Sequence, residues 1–170
     1  RIIDKIKDGI RPKSVWCGSK YDASAHGTKL LLKLFEDKLF SFPKAIGTVE
    51  DSIRMVCDET SIVLDAFGGS GTTGHAVINL NREDEGNRKY ILVEMGEYFD
   101  KVTKPRIQKV VYASEWKDGK PKSRTTGVSH IMKYMRLESY EDALSNIELK
   151  KAGGISLWGE DYLINYMLNM

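Results

Sequence analysis

Only two cysteines occur in 170 residues, Cys17 and Cys57, with no C-x-x-C and no histidine at a ligand spacing from either. Neither a zinc site nor a disulfide framework is expected, and the thiols should be free in a reducing compartment. No apolar run approaches the roughly eighteen residues of a membrane span, and the amino terminus lacks the form of a signal peptide. A cytoplasmic protein with no membrane contact and no metal is expected. The net charge of +2 is small, so contact with nucleic acid has to be argued from clustering rather than from the sum. The hydrophobic content of 41% is ordinary and supports one domain with a real core, but not two of full size.

What the chain does have is Ser61 to Gly74, Ser-Ile-Val-Leu-Asp-Ala-Phe-Gly-Gly-Ser-Gly-Thr-Thr-Gly. A short aliphatic run passes through one acid, Asp65, into a loop with glycines at 68, 69, 71 and 74. The pattern predicts a buried strand, a tight turn and a helix start. Glycine allows positive φ and bare backbone N–H groups, and Thr72 or Thr73 can cap the helix whose amino terminus then faces a ligand. A Walker-type phosphate loop needs a lysine before its Ser/Thr; Gly71 stands there instead. A dinucleotide loop fits the spacing of Gly69, Gly71 and Gly74, with Glu94 about twenty residues on as a ribose partner. Asp65 argues against it, because a carboxylate faces a pyrophosphate unfavourably and suits the ammonium of a methionine moiety. S-adenosylmethionine carries that ammonium, a carboxylate, a sulfonium and a ribose.

Asp65-Ala-Phe-Gly-Gly-Ser-Gly-Thr-Thr resembles the D-x-F-x-G-S-G-T-T cofactor motif of amino-methylating DNA methyltransferases of the β arrangement. The text from about Tyr21 to Tyr112 is similar to the modification subunit of type III restriction-modification systems, as is Lys133-Tyr-Met-Arg-Leu-Glu-Ser-Tyr-Glu-Asp. The resemblance implies an α/β, Rossmann-like S-adenosylmethionine-dependent methyltransferase fold, here partial, and a parent that methylates adenine N6 in a short DNA sequence. It implies a cofactor site of Asp65 for the ammonium, Phe67 and the loop Gly68, Gly69, Ser70 and Gly71 for the cofactor backbone, Thr72 or Thr73 for the carboxylate, and Glu94 for the ribose. Lys44 matches the lysine of a K-P motif in that family, although Ala45 replaces the proline, and a solvated lysine at a helix entrance fits it equally.

The family's D-P-P-Y catalytic motif is absent, since the sequence has no Pro-Pro at all. In the β arrangement that motif and the target-recognition segment lie upstream. With Arg1 rather than Met at its start, the chain reads as a carboxy-terminal piece with no catalytic residue, and its sheet as one with an unprotected edge. Double-stranded DNA, a second modification subunit and a helicase-nuclease restriction subunit are the partners implied for the parent. Two other classes remain: a nicotinamide-binding (NAD) fragment of an oxidoreductase, with Asp65 against it, and a non-catalytic assembly module that uses residues 130 to 170.

Elsewhere, periodicity predicts a helix from Thr28 to about Phe40, and a second from a Thr48 cap to Cys57 with Asp51 as its capping-box acid. His75 sits at the start of the helix after the loop, as a packing or capping residue. Lys89 to Glu94 reads as a second buried strand. Pro105 predicts a break near Lys104 in the helix from Gly96 to Ala113. Between Lys101 and Arg124 eight basic residues, Arg106 among them, face two acids, Glu115 and Asp118. The run is either a DNA-phosphate contact or a solvated face. Asp118-Gly119 signals a hairpin, with strands near 110 to 116 and 128 to 136 that would extend the sheet. Residues 1 to 114 then form the cofactor half and 115 to 170 a hairpin with a helical tail suited to subunit contact. In the tail Ser139 should cap a helix through about Lys150, and Tyr162 to Leu168 a last short one.

Overall fold

The computed structural model describes residues 14–145. Chain contacts gather into two compact units, Arg1–His130 and Ile131–Met170. The first holds a strand β1 (Ile62–Asp65), a helix α3 (Thr72–Asp84) and a strand β2 (Lys89–Leu92), preceded by helices α1 (Lys29–Phe35) and α2 (Ile46–Val56) and followed by α4 (Lys104–Tyr112). β1 and β2 pair in parallel, Ile62 opposite Lys89 and Asp65 opposite Leu92, so that α3 is the crossover of a βαβ unit. Such a connection needs a long crossover, usually a helix, because the chain must return to the end at which both strands start.

Two apolar clusters hold the unit together. Ile53 of α2 packs with Ala76, Val77 and Leu80 of α3 against Val63 and Tyr90 of the strands. Ile78 of α3 packs with Ile107 and Val110 of α4, again against Tyr90 and Leu92. Helix and strand meet closely at Gly74, where a β-carbon would fall 2.7 Å from Ile107 Cδ1 and 3.2 Å from Leu92 Cδ1. The strands are half-buried rather than buried as expected. Each alternates exposed and half-covered residues, because helices cover only one of their faces among the described residues.

Several boundaries differ from the sequence expectation. The first helix is regular only over Lys29–Phe35, entered through a wider π-type turn at Ser24–Thr28, and Thr28 makes no capping bond. It stops because Glu36 takes a positive φ of 68°. α2 begins before Thr48, with Ala45 at its cap. Asp51 is no capping acid: its carboxylate accepts hydrogen bonds from Lys20 Nζ at 2.5 Å and Tyr21 Oη at 2.7 Å. Pro105 lies in the first turn of α4, where its missing N–H costs nothing, and the preceding Phe99–Thr103 turn is π-type. The helix thus changes character at Lys104, where a break was expected.

The hairpin is shorter than expected and does not extend the main sheet. β3 (Trp116–Lys117) and β4 (Lys120–Pro121) form a separate antiparallel pair. Asp118 and Gly119 supply the positive φ values, 48° and 69°, that a two-residue primed turn requires. Residues 110 to 112 belong to α4, and 128 to 136 are not strand. The hairpin groups with the first unit. In the second unit a helix α5 (Tyr140–Ser145) is described. Ser139 caps it as expected: Asp142 N donates to Ser139 Oγ at 3.1 Å, and that hydroxyl donates to the Asp142 carboxylate at 2.8 Å. The expected continuation to Lys150 and the helix at 162 to 168 lie outside the described residues. No helix among the described residues is long and apolar enough to cross a membrane.

Candidate functional site

β1 ends in Asp65, Glu94 follows shortly after the end of the adjacent parallel strand β2, and the glycine loop leads from Asp65 into α3. Ligands of open α/β sheets bind at this edge. The loop is tied to both strand ends: Val93 N donates to Asp65 O, and Gly68 N donates to Val93 O, each at 2.9 Å. Gly69 and Gly71 hold positive φ values of 53° and 78°, which an L side chain would strain. Gly71, not a threonine, occupies the position before the first turn of α3, and no side chain among the described residues caps that helix. Its leading N–H groups therefore face the loop with no intrahelical acceptor of their own.

Both threonine hydroxyls have other partners. Thr73 Oγ1 donates to Asp65 Oδ2 at 2.6 Å, and Thr72 Oγ1 accepts from Arg106 Nη1 at 3.0 Å. Asp65 also accepts from Phe67 N at 3.1 Å. Two donors leave about half of a carboxylate's acceptor positions open. Phe67 itself is 85% exposed at the mouth of the loop.

Glu94 is more fully engaged. It accepts from Gly69 N, Met95 N and Gly96 N, each at 2.9 Å, and from the Tyr98 hydroxyl. Partial burial pushes its carboxyl up, but these donors outweigh it and hold the group below the usual carboxylate range. The same contact raises the Tyr98 hydroxyl. Tyr98 in turn meets Phe40 edge-on, with ring centroids 5.1 Å apart, and Phe40 lies against Gly69. Lys44 is exposed.

Beneath the loop lies Arg106, from α4, with no solvent exposure. Its Nη1 donates to Ser70 O at 3.2 Å and to Ser70 Oγ and Thr72 Oγ1 at 3.0 Å. Its Nε and Nη2 both donate to His75 Nδ1, at 3.2 and 3.1 Å. Burial, then the charges of Arg106 and Arg82, hold His75 well below its ordinary pKa, so the ring is neutral and Nδ1 is its acceptor. Burial also pulls the Arg106 guanidinium down to about 9. Thr103 completes the support by donating to Gly69 O at 2.5 Å.

Arg106 corrects the reading of the basic run. It faces the interior, while Lys109 lies 4.4 Å from the Trp116 ring centroid and Lys122 pairs with Glu115 at 2.8 Å. The run is thus no continuous basic face. Arg106, Thr103, Tyr98 and Phe40 were not singled out from sequence as site residues. A buried arginine in a lysine-rich stretch has no local signal to distinguish it from its exposed neighbours.

A sequence model of the DNA methylase family matches residues 4–105, more than half of the chain, and the chain belongs to that family. Among its relatives is the Mod subunit of the type III restriction-modification enzyme EcoPI of Escherichia phage P1, 36% identical over 114 residues that cover 59% of this chain and 18% of that protein. The StyLTI Mod subunit of Salmonella typhimurium is 44% identical over 70 residues, 41% of this chain and 11% of that protein. The type II methyltransferase M.KpnI of Klebsiella pneumoniae is 36% identical over 85 residues, 50% of this chain and 20% of that protein. The chain therefore spans a fifth or less of the length of these relatives.

Proposed function

We propose that the chain is the S-adenosylmethionine-binding part of a DNA methyltransferase that methylates adenine N6 in a short recognition sequence, the parent protein being the modification subunit of a type III restriction-modification system and this part by itself inactive. The observation that carries this reading is the placement of Asp65 at the end of β1 and Glu94 shortly after the end of β2, with the glycine loop leading from Asp65 into the start of α3. The family match and the Mod-subunit relatives support the class. The nicotinamide alternative has no such support.

The residues fit the cofactor best at its amino-acid end. Asp65 keeps acceptor positions for an ammonium, and the first-turn N–H groups of α3 suit a carboxylate. At the other end Glu94 would take the ribose hydroxyls by exchanging donors it now holds, the Tyr98 hydroxyl among them. Phe67 and the backbone from Gly68 to Gly71 would line the ligand between these ends, and Lys44, exposed in the structure, would join them as the lysine of the family's K-P motif. The bound cofactor would supply an activated methyl group to the exocyclic nitrogen of a base turned out of the duplex. A Rossmann-like sheet, a cytoplasmic setting, a second modification subunit and a restriction subunit belong to the same reading.

Calorimetric titration with S-adenosylmethionine and with NAD, on the protein and on Asp65→Ala, tests it. Saturable binding of S-adenosylmethionine alone, weakened by the substitution, is expected. Preference for NAD would overturn the reading.

A further inference from the structure

We propose that Arg106 is the residue by which this site selects a ligand bearing a carboxylate. The proposal rests on the cofactor reading above and adds to it a residue outside the glycine motif. A buried cation ordinarily has an anionic partner, because neutral acceptors offset only part of its lost hydration. Arg106 is fully buried, yet among the described residues its hydrogen-bond partners are all neutral: Ser70 O, Ser70 Oγ, Thr72 Oγ1 and His75 Nδ1. Among the described residues no carboxylate lies within ion-pair distance of it, and those nearest the loop are engaged elsewhere. Asp65 accepts from Thr73 and Phe67, and Glu94 from four donors at the opposite end.

The partners of Arg106 are the last loop residue but one and the first turn of α3. Its charge therefore adds to the positive end of the helix dipole, worth about half a unit charge, at a single place. The hydroxyls of Thr72 and Thr73, the other candidates for an anion, point to partners of their own. Across the loop stands the negative Asp65. A cation below the helix start and an anion at the strand end match the two charges of an α-amino acid, with its carboxylate toward the helix and its ammonium toward Asp65. The hydrogen bonds of Arg106 run to the loop and the start of α3, so it acts as a positioning and selecting group and not as a catalytic one.

The test compares two ligands that differ only in the carboxylate, S-adenosylhomocysteine and its decarboxylated analogue, by titration calorimetry on the full-length protein and its Arg106→Gln and Arg106→Lys variants. The unaltered protein should prefer the carboxylate ligand by about tenfold or more. Arg106→Gln should bring that preference to within about threefold, the carboxylate ligand losing more affinity than the decarboxylated analogue. Arg106→Lys, which keeps the charge, should keep the preference. Equal loss of both ligands in the Gln variant would reduce Arg106 to a support for the loop and overturn the proposal, as would an unchanged preference. Should the Gln variant not fold, loss of preference in a folded Lys variant overturns the proposal and its retention supports it. A folded, unaltered protein that binds neither ligand would overturn the cofactor reading itself.

Discussion

The two faces of the β1–β2 pair are equally apolar in sequence and differ entirely in structure. One face packs Val63, Tyr90 and Leu92 against α3 and α4. The other leaves Ile62 63%, Leu64 65% and Ile91 51% exposed. Parallel sheets are ordinarily covered on both faces. The packed face alone joins the site: α3 carries the loop at its start, α4 sends Arg106 beneath it, and Gly74 brings them together. The geometry of the loop is thus set by one side of the sheet.

Substitutions should separate the faces. Leu80, 1% exposed, lies in the core under α3, so Leu80→Ala should destabilise by about 2–5 kcal/mol in denaturant titrations. Leu64→Ala on the open face should change stability by about 0.5 kcal/mol or less. Equal costs would mean that the open face is packed in solution. Gly74→Ala should come next, at about 1–3 kcal/mol, because its β-carbon would overlap Ile107 Cδ1 and crowd Leu92 and Tyr90. A neutral Gly74→Ala would mean that α4 gives way there, and the loop should then tolerate it too.

How much of this was legible beforehand follows the same division. The strand, glycine turn and helix around Asp65 were readable because local chemistry dictates them: aliphatic run, glycines at positive φ, then helical periodicity. The second strand and its acid at Glu94 were readable for the same reason. Missed were features set by residues remote in sequence. Arg106 reads as one more cation until α4 packs beneath the loop, and Thr72 and Thr73 read as caps until Arg106 and Asp65 take their hydroxyls. Trp116 explains the hairpin's length. Its ring nitrogen donates to Lys109 O and Ala113 O, fixing β3 to the end of α4 rather than to the sheet.

His75 gives the packed side a pH signature. Its folded pKa is well below 6.5, through burial and the charges of Arg106 and Arg82. Below that pH the unfolded chain takes up a proton that the folded protein refuses, so stability is full above about pH 6.5 and falls as the pH drops, with a slope approaching about 1.4 kcal/mol per unit. His75→Gln keeps an acceptor for Arg106 and removes the proton site. Urea midpoints at two pH values on either side of this window should fall further for the unaltered protein than for the variant. Parallel declines would mean that the ring titrates normally.

The smallest effect belongs to Tyr98, whose hydroxyl meets Glu94. Its hydroxyl is, among the described residues, one of four donors on Glu94 and the one that comes from a side chain. Removing it in Tyr98→Phe frees an acceptor position while Gly69, Met95 and Gly96 keep the carboxylate in place and ionised. If ribose hydroxyls must displace that donor, Tyr98→Phe should tighten S-adenosylhomocysteine by about two- to threefold, the worth of one partly solvated hydrogen bond. Glu94→Gln, which removes charge and an acceptor, should weaken the same ligand. The two opposite signs distinguish competition for Glu94 from simple damage to the loop, which would weaken binding in both. A loss in Tyr98→Phe as large as in Glu94→Gln would instead mean that the hydroxyl itself meets the ligand, and Tyr98 would then join Glu94 as a binding residue.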